Sequence, residues 1–337
     1  MSYNRPIQLG LCCINTTLRA EKPPVYCSRT MIIRTINQEG GMDTLRERVT
    51  NNCLDLIKLI EWNEQNGIKV LRISSDMFPH YANPKTENYS MDFVKDILNK
   101  AGELAKKYNH RITMHPGQFN VVGSPSEIAF NSTVLDLSYQ CEILDNINVG
   151  PDSVMVVHGG GLYGNKEETI KRWCVNFKRL PENVQKRLVL ENCERCFSIE
   201  DCLRVSKEIG IPVVFDTHHY DCYNILHPDN QMQPPETYMQ AILETWQKRG
   251  IKPKFHVSEQ GSGRCGHHSD YIENIPDYLL EIPEKYNTNI DIMIEAKKKE
   301  LAIFKLYNKY PQLNCKKRTF KITPEQKLKL LKKLKNI

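Results

Sequence analysis

Histidines and carboxylates in this chain fall at the ends of short, β-rich apolar runs, where a folded sheet would gather them for metal binding or proton transfer. One run ends in His115-Pro116-Gly117-Gln118, the next in His158-Gly159-Gly160-Gly161 and the next in Glu191-Asn192. Then come Asp216-Thr217-His218-His219, a run holding Lys254 and His256 with Glu259 just beyond, the loop His267-His268-Ser269-Asp270, and Glu295-Ala296-Lys297. On one face, so many imidazoles and carboxylates would repel one another and lose solvation, and cations resolve both problems. Mixed His/carboxylate ligation suits zinc, manganese or iron(II) and suits calcium poorly. A carboxylate shared between neighbouring ions permits a cluster that stabilises the attacking and leaving oxygens of phosphate hydrolysis. Any one of these residues alone reads more simply as a satisfied polar side chain; the coincidence over consecutive runs carries the metal reading. His80, His110 and His227 lack that setting and read as surface residues. His219 is preferred to His218 as a ligand, and His268 to His267. Glycine after His158 allows close approach of a phosphate, or merely a turn. Phe119 taken alone reads as core, although an exposed aromatic there could stack on bases.

The elements that must position these groups follow from periodicity and turn residues. The β-rich runs are Ile7–Ile14, Lys69–Ser74, Arg111–His115, Ser153–His158, Arg187–Glu191, Pro212–Asp216, Lys254–Val257 and Asp291–Glu295. Helical patterns lie between them at Leu45–Glu64, Met91–Lys107, Glu127–Asn146, Glu167–Arg179, Ile199–Glu208, Pro235–Lys248 and His268–Lys285, with a last one at Lys297–Tyr310. Strands alternating with helices imply a parallel sheet, and eight such units fit a closed (β/α)8 TIM barrel with its site at the carboxyl ends of the strands. No GxGxxG follows the first strand and no Walker A motif occurs, so an open nucleotide-binding sheet is disfavoured. The α/β barrel is expected over residues 1–310, and residues 311–337 as a short basic extension with an amphipathic helix from Pro324.

That extension accounts for the net charge of +6. Residues 316–337 hold nine Lys/Arg and one acid, while the rest of the 337-residue chain carries 37 Lys/Arg and 39 Asp/Glu. A basic terminal segment can attract nucleic-acid phosphates, or be no more than a solvated helix end. The 12 cysteines are scattered and read as reduced, buried thiols, including adjacent Cys12-Cys13 and the Cys193/Cys196 CxxC, which lacks the second pair of a zinc ribbon. No apolar run reaches the roughly 18 residues of a membrane span, and no secretory signal is evident. Cytoplasm is the default location, or the nucleus if the KKR-containing tail serves entry.

The set LGLCCINTTL (9–18), RISSDMFP (72–79), HPGQF (115–119), HGGG (158–161), LEN (190–192), FDTHH (215–219), KFHVSE (254–259), HSDYI (268–272) and MIEAKKKE (293–300) resembles the UV damage endonuclease family, in order from about residue 7 to 305. The resemblance implies a TIM barrel with up to three divalent metals, usually Mn2+, that incises damaged duplex DNA immediately 5′ to cyclobutane pyrimidine dimers and 6-4 photoproducts. It assigns His115, His158 and Glu191 to one metal, Glu191, Asp216, His256 and Glu295 to a second, and His219 and His268 to a third. It places Glu191, Lys254 and His256 in the catalytic machinery, with Lys254 a candidate for carboxylation, and Asn15, Gln118 and Phe119 at the lesion. Three positions depart from the family pattern: Leu11 stands for a Tyr beside the cleaved strand, Asn83 for a metal-ligating His, with His80 nearby, and Phe119 for the usual Tyr. An abasic-site endonuclease of the endonuclease-IV type is the nearest alternative. A metal-dependent sugar isomerase or epimerase is a second, and a non-enzymatic DNA-binding protein would explain the basic tail but not the strand-end ligands.

Overall fold

The computed structural model of the chain describes residues 5–81, 83 and 85–316; the helix expected from Pro324 lies outside them. Eight strands form the centre: β1 (Ile7–Cys12), β2 (Val70–Arg72), β3 (Arg111–Thr113), β4 (Met155–His158), β5 (Leu188–Glu191), β6 (Val213–Asp216), β7 (Lys254–Val257) and β8 (Ile290–Ile294). Every pairing is parallel, in the order β3-β2-β1-β8-β7-β6-β5-β4. The ring closes through one residue past β3: Met114 bridges Met155, donating its N–H to Val154 (2.9 Å) and accepting from Val156 (3.0 Å). The fold is thus the TIM barrel expected from the alternation of strands and helices.

The surrounding helices are α1 (Thr16–Arg19), α2 (Ile33–Ile36), α3 (Gly41–Gln65), α4 (Lys95–Tyr108), α5 (Glu127–Asn146), α6 (Lys166–Phe177), α7 (Glu182–Arg187), α8 (Ile199–Ile209), α9 (Thr217–Leu226), α10 (Glu236–Arg249), α11 (Asp277–Leu280), α12 (Ile282–Lys285) and α13 (Glu300–Lys309). Their starts carry the expected chemistry. Ser126 caps α5, Asn165 caps α6, and Ser198 with Asp201 forms a capping box on α8. Nearly all strand residues are buried, because helices cover the barrel outside and side chains fill it inside.

Two expectations are corrected. The helix read over His268–Lys285 is replaced by a loop and the single turns α11 and α12. Pro276 and Pro283 interrupt the pattern, since each removes a donor and disfavours helix at the residue before it. The residues after Asp216 are not a plain strand end but the first turn of α9, whose N-terminus Asp216 caps by accepting the His219 N–H at 2.8 Å. At the far end, Leu313 and Cys315 are buried, so packing onto the barrel continues past residue 310.

Candidate metal centre

Glu191 is the hub. It ends β5, is fully buried, and meets imidazoles from three other strand ends. His115 Nε2 lies 2.9 Å and His158 Nε2 3.5 Å from one carboxylate oxygen, and His256 Nδ1 lies 2.6 Å from the other. His219 Nδ1 stands 3.8 Å from Glu191 and 3.9 Å from Asp216, on the first turn of α9. Glu295, one residue past β8, approaches His256 Nδ1 at 3.3 Å and His268 Nδ1 at 3.9 Å. The register makes this convergence: His158 lies beside Glu191, and Asp216 beside His256, as paired residues of parallel strands.

Three groups have donor atoms close enough to share an ion: His115 with Glu191 and His256, His158 with Glu191 and His219, and Asp216 with His256 and Glu295. The donor set suits a transition metal. Among the described residues, buried Asp216 Oδ2 and His158 Nδ1 also lack a hydrogen-bond partner, an arrangement that costs free energy unless something else binds there. The residues present therefore fit divalent cations.

Except at His219, which without a cation holds a proton that ligation would displace, the electrostatics agree with such a role. Burial would raise the Glu191 carboxyl, but the charge that His256 and His158 take on at low pH and hydrogen bonds from His115 and His256 outweigh it and hold it well below the usual range. Burial pushes Asp216 up to about 7 and lowers His158 and His256 to about 4, leaving both imidazoles neutral and able to ligate. Burial would also lower His219, but Asp216 and Glu191 raise it to about 10. Lys254, fully buried on β7, is brought down to about 7 by burial first and then by the charge of Arg72; its Nζ lies 2.6 Å from His256 Nε2.

The cavity over these groups has a volume of about 400 Å³, and His115, His158, His219, His268 and Glu295 line it along with Gln118. Gln118 is exposed where it lines the cavity, and Phe119, next in sequence, is 68% exposed, so Phe119 is not core. Its ring folds back over Gly117, where an added Cβ would lie 2.5 Å from Phe119 Cε1. Asn15 is buried: its Oδ1 caps α1 by accepting the Leu18 N–H at 2.8 Å, and its Nδ2 has no partner among the described residues. Leu11 is fully buried in the barrel and does not reach the mouth. Another cleft, about 900 Å³, lies at the opposite end among residues preceding β7 and β8; no histidine lines it and Glu244 is its one carboxylate.

The histidines left aside do stay out of the centre, but their description as surface residues needs correction. His110 is buried, 3.0 Å from Glu64. His80 Nε2 lies 2.7 Å from the Met31 carbonyl and its Nδ1 3.2 Å from Asn83 Nδ2, and His227 stacks on Tyr223 at 4.0 Å between ring centres. His267 Nδ1 lies 3.4 Å from the Ser262 carbonyl, and His218 packs edge-on against His268 at 6.0 Å. Among the described residues neither His80 nor Asn83 lines the cavity. All 12 cysteines are free, and Cys193 Sγ accepts the N–H groups of Cys196 and Phe197, both at 3.2 Å.

Two residues were missed in the sequence. Arg72, at the end of β2, pairs with Glu295 and reaches Cys12 Sγ. Asn192 brackets the Asp216 backbone, accepting its N–H at 2.8 Å and donating to its carbonyl at 3.0 Å, while its own carbonyl lies 3.0 Å from His219 Nδ1. Both stand inside quoted motifs, next to or at a strand end, which was the available signal.

A parallel barrel with buried imidazoles and carboxylates at the carboxyl ends of its strands defines an enzyme of the barrel class with a donor set for divalent cations. More particularly, residues 7–324 match the family described as UV-endonuclease UvdE, and the chain belongs to that family, whose members are DNA repair nucleases. It is 39% identical to the UV-damage endonuclease of Schizosaccharomyces pombe, over 91% of this chain and 51% of that protein. It is 32% identical to a UV DNA damage endonuclease of Bacillus cereus, over 85% of this chain and 89% of that one. The crystal structure of SacUVDE superposes with a TM-score of 0.76 at 28% identity, covering 91% of this chain and all of that one. A D-tagatose 3-epimerase-like protein superposes at 0.51 with 16% identity, which shows a shared fold alone. Among the described residues no helix is long and apolar enough to cross a membrane.

Proposed function

We propose that the chain hydrolyses the phosphodiester immediately 5′ to UV photoproducts, cyclobutane pyrimidine dimers and 6-4 photoproducts, in duplex DNA. The observation that carries this reading is the shared, fully buried Glu191, common to two of three overlapping His/carboxylate groups under an open cavity, in a chain of the UV-endonuclease family. Glu191, His115, His158, His219, His256, Asp216 and Glu295 would hold the cations, with His268 beside Glu295; manganese is the ion proposed, with up to three bound. Such ions supply positive charge to the scissile phosphate and acidify a water for attack.

The chain's own groups do the rest. Lys254, brought down to about 7, is about half deprotonated at pH 7, so it places less than a full ammonium charge beside His256 and the cation site, and its free-amine fraction is competent for carboxylation. Asn192 holds the Asp216 backbone, and Asp216 holds the first turn of α9, so His219 is aimed by the fold before any ligand arrives. Phe119 and Gln118 stand where a duplex would meet the rim, Phe119 to stack and Gln118 to hydrogen-bond where damaged bases are displaced. Selectivity then comes from the lower cost of unstacking a damaged pair, a few kcal/mol. Asn15 contributes its buried Nδ2 at most, because its oxygen is committed to α1.

End-labelled duplexes carrying one cyclobutane dimer, one abasic-site analogue or no lesion test the proposal in Mn2+. A single cut at the dimer supports it. Cleavage confined to the abasic analogue moves the chain to the endonuclease-IV type of activity.

A further inference from the structure

A second cleft opens beside the Glu295 end of β8, between the segment after β1 and the turn leading into α13. Its volume is about 370 Å³ and it is lined by Ile14, Thr16, Arg19, Ala20, Lys297 and Lys299. Three of the six are cations and none is an acid. Among the described residues no ion pair involves Arg19, Lys297 or Lys299, whereas Lys298 between the two lysines leans toward Asp270 at 3.9 Å. Glu300, the carboxylate that follows Lys299 in sequence, is fully buried and committed elsewhere: it accepts the Thr16 and Thr17 N–H groups at 2.8 Å and the Thr17 hydroxyl at 2.9 Å. Those bonds tie one wall of the cleft to the other, so its shape is set by the fold. Lys299 holds a left-handed backbone, φ 48° and ψ −119°, which is uncommon without glycine and places its side chain on the cleft.

Three like charges around one concavity repel each other, and an anion seated among them removes that cost. We propose that Arg19, Lys297 and Lys299 form a seat for one backbone phosphate of the DNA, separate from the metal centre and two residues along the chain from Glu295. The inference rests on the DNA nuclease reading and adds to it a fixed anchor. A phosphodiester held there sets the register of the strand at the Glu295 side of the cavity without reading any base.

The test is duplex binding in EDTA across a salt series, comparing the wild type, the triple variant Arg19→Gln/Lys297→Gln/Lys299→Gln, and a charge-matched control, Lys178→Gln/Lys248→Gln/Lys285→Gln, on the opposite end of the barrel. Each phosphate contact contributes about 0.9 to the slope of log affinity against log salt. The triple variant should lose about one unit of slope while its melting midpoint stays near that of the wild type, and the control should keep the full slope. A triple variant that is folded and retains the wild-type slope, or a control that loses as much, overturns the seat. If the wild type neither binds nor cuts any duplex, the nuclease reading falls first and the seat with it; wild-type cutting with an unchanged slope in the triple variant refutes the seat alone.

Discussion

Replacing Phe119 by Ala removes the one large aromatic side chain standing exposed in the loop that leaves His115. At 68% exposure the ring contributes little to the fold, so the variant should unfold within about 0.5 kcal/mol of the wild type. Stacking of an aromatic side chain on a base is worth about 1–3 kcal/mol. At 1.4 kcal/mol per decade, the affinity for a dimer-containing duplex should fall roughly 5- to 150-fold. An undamaged duplex gives the ring no gap to enter, so its affinity should fall much less. Fluorescence anisotropy in EDTA separates the two without cleavage, and a melting curve checks the fold. Gly117→Ala probes the same ring from beneath: its new Cβ would lie 2.5 Å from Phe119 Cε1, so the ring must swing aside and an intermediate loss is expected. A Phe119→Ala variant that keeps the wild-type ratio of dimer to undamaged binding would refute the idea that Phe119 probes the duplex.

Three further outcomes are expected. Glu191→Gln keeps shape but removes the charge shared by His115 and His256, so bound metal measured by mass spectrometry should drop and incision should vanish while the circular dichroism spectrum is retained; full metal content with normal incision contradicts Glu191 as the hub. Gly159→Ala would drive a methyl into the fully buried Phe197 ring, costing about 1–3 kcal/mol in urea unfolding, and an unchanged midpoint would show that the loop yields instead. His110, lowered to about 4 mainly by burial, sits below its ordinary 6.5. Its unfolded form therefore binds the proton first, and the stability it confers is present above pH 6.5 and lost as pH falls toward 4, by up to about 3 kcal/mol. His110→Gln should flatten that part of the stability profile, which denaturant titrations at pH 7, 5.5 and 4.5 can read.

The barrel was legible because parallel strands buried on both faces read as continuous apolar runs with polar ends, and β7 in particular begins and ends where the pattern says. Helix α5 likewise matches its pattern from Glu127 to Asn146. Single-turn elements such as α1 and α2 are too short to show a period, and α11 and α12 were hidden under one long apolar pattern that two prolines divide. The candidate ligands were legible as strand-end His, Asp and Glu. Their distances depend on register and on α9: His115 and His158 meet on one oxygen of Glu191, as the family pattern groups them, and the fold also sets His115 close to His256 and His158 close to His219. Arg72 was passed over because an arginine at a strand end reads as solvent-facing, and only the fold shows it turned onto Glu295. Phe119 is the converse case, an aromatic whose type reads as core and whose position after a Pro-Gly turn leaves it outside.

The most direct measurement is incision of a 5′-labelled duplex with one cyclobutane dimer, after EDTA treatment and again after Mn2+ is added back, with a polymerase used to extend the product. The account predicts no cut in EDTA, a single cut immediately 5′ to the dimer on Mn2+ addition, and a 3′-hydroxyl end that the polymerase extends. A cut that persists in EDTA, or one placed elsewhere than 5′ to the dimer, would contradict it.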